Sequence, residues 1–180
     1  SLSARSRPEV KGFADELRQR IYALGEAHDF VRPHSHVSRP PENQGSLHSL
    51  ITRLMQPYRS GEADRVVFTG EDIAIDDGAA TPLALLFHEL GTNAAKYGAL
   101  AQDGGEVELT GRRDHERYYL SWKERGGLPV EGNAELSGFG SRLIGLSVEG
   151  QLRGRLERIW ESDGLRVEVE VPVDALLRSA

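Results

Sequence analysis

Between Thr81 and Tyr97 the sequence writes two patterns on one helix. At about 100° per residue, Leu83, Leu86, Phe87, Leu90 and Ala94 fall on one side. That side must be buried. Glu89, Asn93 and Lys96 follow at i, i+4 and i+7, so they stack as a separate polar stripe, with Tyr97 beside Asn93. Such a helix needs a second layer under its apolar face while its polar stripe stays available for chemistry.

The flanking sequence supplies that layer. Alternating strands are predicted over 107–112 and 117–124. Two more, over 153–160 and 165–171, are joined by the turn Ser162-Asp163-Gly164. Val66–Phe68 and then Ile73 and Ile75 suggest two short strands around a Thr69-Gly70 turn. Helices are expected at 47–55, where Leu47, Leu50, Ile51, Leu54 and Met55 have helical spacing, and at about 141–149. The order predicts an α/β fold, a two-layer sandwich of helices on a mixed β-sheet. It carries an N-terminal helical stub over 1–31, a linker over 32–46 with Pro33, Pro40 and Pro41, and a main domain over 47–180.

In the stub, Val10, Ala14, Leu17, Ile21, Leu24, His28 and Val31 are spaced 4, 3, 4, 3, 4, 3, a heptad seam. A seam of this kind meets another helix, in a hairpin or a homodimer, or else lies on its own domain. His28 reads more simply as a packing residue on that seam than as a phosphate acceptor. His34 and His36 lack further ligands and read as solvated loop residues.

Composition narrows the function classes. Hydrophobic residues make up 38% and charged residues 28%, as in a chain with a packed core. The absence of cysteine excludes disulfides, thiolate metal sites and cysteine nucleophiles, and agrees with a reducing, cytoplasmic setting. A net charge of −6 argues against a nucleic-acid or anionic-membrane surface. No run approaches the roughly 20 apolar residues that span a bilayer, so no membrane contact is expected from this segment. The chain begins with serine, and it reads as a piece of a longer protein.

The polar stripe has its own chemistry. An amide oxygen such as that of Asn93 is a hard ligand suited to Mg²⁺, which otherwise prefers phosphate and water. A carboxylate one turn away, Glu89, can hold a water or hydroxyl beside the metal. A lysine one turn on, Lys96, can neutralise phosphate, and an aromatic ring, Tyr97, can stack on a base. The same stripe is also compatible with an ordinary solvated helix face.

The segment HELGTNAAKYGAL, residues 88–100, resembles the N-box of the HWE histidine kinases at every specified position. That family lies within the Bergerat-fold ATPases. The resemblance implies that Asn93 holds Mg²⁺, Lys96 touches phosphate, Tyr97 lies against adenine, and Glu89 orients or deprotonates the nucleophile. His88 matches the family's characteristic histidine, without a role that can be read from it.

Two glycine segments follow in the family's order. YLSWKERGGLPV, residues 119–130, resembles the first glycine box, with Trp122 and Glu124 supplying the W-x-E. Tyr118, Leu120, Trp122 and Glu124 share one strand face. By resemblance Glu124 accepts from the adenine amino group, and Gly126 lets the backbone approach the base. The sequence departs from the family pattern where Leu128 stands in place of the first proline, with Pro129 next. Alone, the Glu-x-Gly-Gly reads equally well as a polar turn. Gly138-Phe139-Gly140-Ser141-Arg142 resembles the second glycine box. Glycines that open a helix leave N–H groups free for an anion, and Ser141 and Arg142 add donors. Residues 125–140 become a short lid.

Together these imply an ATP- and Mg²⁺-dependent protein histidine kinase. The stub matches the second helix of a dimerisation and phosphotransfer hairpin, and the accepting histidine is expected on a helix upstream. The phosphate would pass on to a response-regulator receiver domain in a bacterial two-component system. Two other readings remain: a serine kinase or ATPase on the same fold, and a degenerate phosphorelay scaffold. The W-x-E strand and His88 speak against the first, and the intact glycine boxes against the second.

Overall fold

The computed structural model describes residues 8–31, 45–59, 64–127 and 139–177. The chain is read from its N-terminus as helix α1 (Pro8–Val31), α2 (Leu47–Met55), strand β1 (Val66–Gly70), α3 (Asp77–Lys96), β2 (Glu106–Asp114), β3 (Arg117–Arg125), α4 (Phe139–Gly145), β4 (Arg155–Glu161) and β5 (Gly164–Pro172). Most of the expected linker, most of the expected lid and Gly138 lie outside the described residues.

The strands form one five-stranded sheet in the order β1-β2-β3-β5-β4. β1 runs parallel to β2 and the other neighbours are antiparallel, so the sheet is mixed as expected. Strand alternation decides the layers. Val107, Leu109, Tyr118, Leu120, Trp122, Val167, Val169 and Val171 all point inward and are buried. The opposite face carries charged pairs such as Lys123–Glu161 and Arg166–Glu168. Helices cover the inner face alone. Leu83, Leu86, Phe87, Leu90 and Ala94 of α3 are buried there, as the helical spacing predicts, and the apolar positions of α2 join them.

Three local expectations are corrected. α3 begins a turn earlier than Thr81-Pro82 suggests. Asp76 caps it, its carboxylate accepting from the Ala79 N–H at 2.8 Å, and Pro82 lies inside the helix. Ile73 and Ile75 do not form a strand. Their segment makes only an isolated bridge between Ser46 and Ala74, and the two isoleucines pack into the core instead. Thr69-Gly70 is not a turn but the end of β1, where Gly70 has φ 88° and lies tight against Gly111.

α1 is a single helix, and it docks on α3 through an unexpected stripe. Arg20, Ala23 and Ala27 are buried, whereas Leu17 and Ile21 of the heptad seam are 44% and 61% exposed. Leu24 and His28 are exposed as well. The side chains of Val10 and Val31 lie outside the description. A salt bridge between Glu26 and Arg53 ties α1 to α2. No helix among the described residues is long and apolar enough to cross a membrane.

Candidate functional site

The polar stripe of α3 is graded in exposure. Glu89 is buried, Asn93 half-buried, and Lys96 and Tyr97 exposed. Among the described residues no side chain hydrogen-bonds to the Asn93 amide. Its backbone carbonyl closes the helix by accepting from the N–H groups of Tyr97 and Gly98.

Each glycine segment meets this helix at a different level. At residue 89, the start of α4 presses on the stripe: a Cβ on Gly140 would lie 2.2 Å from Glu89 Oε2. A side chain there would have to displace the Glu89 carboxylate. Beyond the C-terminus of α3, a Cβ on Gly98 would lie 2.0 Å from Glu124 Oε2. The two contacts lie on either side of Asn93, one within α3 at Glu89 and one at Gly98, two residues past its end. Ser141 is half-buried and Arg142 exposed on α4. Gly126, just past the end of β3, has φ 73°, a left-handed conformation that suits glycine.

Glu124 is almost wholly buried. Its Oε2 accepts from the Ala99 N–H at 2.9 Å, and its Oε1 accepts from Trp122 Nε1 at 3.4 Å. Burial pushes this carboxyl above the usual range, while those two donors pull the other way. Tryptophan and glutamate thus share a strand face and also a hydrogen bond. His88 is half-buried, and burial lowers its pKa. The Glu89 charge opposes that shift, while Arg20 and Lys96 add to it.

One member of the cluster is not evident from the sequence. Arg20 of α1 reaches Glu89, with Nε donating to Oε1 at 2.5 Å and a terminal nitrogen donating to Oε2 at 3.3 Å. Both partners are buried. Arg20 precedes Ala23 and Ala27 by three and seven residues, so it belongs to the docked stripe. That alignment was the available signal, hidden by the stronger heptad.

Residues 1–72 match the sequence model of the HWE histidine kinase family. The chain is 36% identical over 174 residues to Blue-light-activated histidine kinase 1 of Erythrobacter litoralis, covering 96% of this chain and 47% of that protein. These matches make the chain similar to the HWE histidine kinases. The blue-light-activated histidine kinase of Rhizobium johnstonii is 34% identical over 162 residues, 89% of this chain and 44% of that one. The chain therefore spans about half the length of the curated relatives it matches. The solved histidine kinase domain from Erythrobacter litoralis EL346 superposes with a TM-score of 0.66 at 18% identity, over 88% of this chain and 75% of that one. That likeness shows a common fold. The sheet and its covering helices share the architecture of that domain.

Proposed function

We propose that this chain is the ATP-binding catalytic portion of a bacterial sensor histidine kinase. The observation that carries the reading is that the two glycine segments approach on either side of Asn93, one at Glu89 of α3 and one at Gly98 just past its end. Histidine kinases use ATP. In this reading the adenine end lies towards Glu124, Gly126 and Tyr97, and the phosphate end towards Lys96, Gly140, Ser141 and Arg142. Gly138, outside the described residues, belongs to the phosphate end by its place in the second glycine box.

The donor set fits Mg²⁺. Asn93 offers a half-buried hard oxygen without a side-chain partner among the described residues, and Mg²⁺ takes few protein ligands, completing its shell with phosphate and water. Bound there, the ion would neutralise charge on the phosphates. The remaining work is positioning and charge stabilisation by Lys96 and the glycine backbones, which dominate phosphoryl-transfer catalysis. Glu89 serves as the group that orients or deprotonates the nucleophile.

α1 is read as the second helix of a dimerisation hairpin, with residues 47–180 as the nucleotide-binding domain. Its exposed Leu17, Ile21 and Leu24 seam would meet the first helix of the hairpin or a second copy. The γ-phosphate would go to a histidine on that first helix, and then to an aspartate of a cytoplasmic response-regulator receiver domain. The test joins this chain to the sequence that precedes it and supplies ATP labelled at the γ-phosphate. The reading expects acid-labile, base-stable labelled phosphohistidine, lost in Asn93→Ala. Label on serine, or free phosphate alone, would point to a serine kinase or ATPase on this fold.

A further inference from the structure

Glu89 lies where three helices meet. α3 carries it, α4 presses Gly140 against its Oε2, and α1 delivers the Arg20 guanidinium to both of its oxygens. The pair joins residues 69 apart in sequence and is buried on both sides. Around it, Ala23 and Ala27 of the same stripe are buried and Phe30 packs against the core. The Arg20–Glu89 pair is thus a buried, charge-assisted tie between α1 and the catalytic domain.

This tie conflicts with the task given to Glu89. A carboxylate that takes a proton, or holds a water beside a metal at Asn93, must direct a lone pair at that group. Here each oxygen is turned to the guanidinium. We propose that Arg20 is a positioning residue acting through Glu89. Docking of α1 holds Glu89 away from the reaction, and displacement of α1 releases it. The phosphate end beside Gly140 offers the guanidinium another anion, so releasing Glu89 need not leave Arg20 without a partner. The position of α1 would then set the readiness of the catalytic domain. The inference rests on the histidine kinase reading above.

The test uses the whole 180-residue chain as wild type, Arg20→Lys and Arg20→Gln. Water stands in for the histidine: it attacks the γ-phosphorus, the bond to the ADP oxygen breaks, and the water proton leaves through Glu89 to solvent. Hydrogen exchange at the amides around Ala23 and Ala27 reads docking, and steady-state hydrolysis gives kcat and KM. In Arg20→Gln, exchange in α1 should rise and kcat should increase roughly five- to tenfold, with little change in KM. Arg20→Lys keeps a charge in the same place and should move both readouts the same way by less. Unchanged α1 exchange in both variants overturns the proposal. So does faster exchange with kcat unchanged or lowered while nucleotide still binds, which leaves the kinase reading standing. Failure of the wild type to bind nucleotide sinks both.

Discussion

At the scale of single residues, the site is shaped by how closely backbone and carboxylate approach. Gly98 has no room for a methyl group, since Glu124 Oε2 lies 2.0 Å and the Ala94 Cα 2.9 Å from where a Cβ would sit. Glu124 is fixed by the Ala99 N–H and Trp122, so it cannot retreat without losing those bonds. Gly98→Ala should therefore cost about 1–3 kcal/mol in chemical unfolding and weaken nucleotide binding. His88 gives a pH signature. Its folded pKa lies below the ordinary 6.5 because it is partly buried, so the unfolded chain binds the proton more readily. Stability is intact above pH 6.5 and falls as pH drops through the interval down to the lowered folded value. A His88→Gln variant should lose stability less steeply than wild type across that interval, measured by urea unfolding at several pH values. Equal slopes would contradict the burial argument.

At the scale of elements, the large apolar residues Leu17, Ile21 and Leu24 of the α1 heptad seam are exposed while alanines of another stripe are buried. Ile21 is 61% exposed and Ala27 fully buried. Ile21→Ser should change the stability of this chain by less than about 0.5 kcal/mol. Ala27→Leu, which forces bulk between α1 and α3, should cost about 1–3 kcal/mol and loosen α1. Thermal unfolding of the two variants checks the order. The heptad was plain in the sequence because Leu17, Ile21 and Leu24 stand out. The docked stripe was not, because alanine is neutral in any pattern and Arg20 reads as a solvated charge. The face of α3 and the alternation in β3 were fully legible, since both depend on local periodicity alone. Ile73 and Ile75 misled for the opposite reason. Their spacing is that of a strand, but the segment only bridges Ser46 to Ala74 and sends both side chains inward. The start of α3 was hidden by Pro82, which resembles a first-turn proline yet lies within the helix that Asp76 caps.

At the scale of the whole molecule, one sheet with helices on one face leaves α3 at the centre of everything that matters. Its apolar side makes the core, and its polar side meets α1 and α4 along its length and the acid of β3 at its end. The layered fold and the candidate residues followed from the sequence because the motifs lie on regular elements. The long-range meeting of α1 with Glu89 did not, because no local pattern encodes a contact across 69 positions. The account's central claim is that Asn93 stands in a nucleotide site between the two glycine segments. The most direct measurement is a calorimetric titration of this chain with a non-hydrolysable ATP analogue, with and without Mg²⁺, beside the Asn93→Ala variant. The account predicts binding that Mg²⁺ strengthens and that Asn93→Ala removes while the fold is kept. Binding by the variant equal to wild type, with the same response to Mg²⁺, would contradict it.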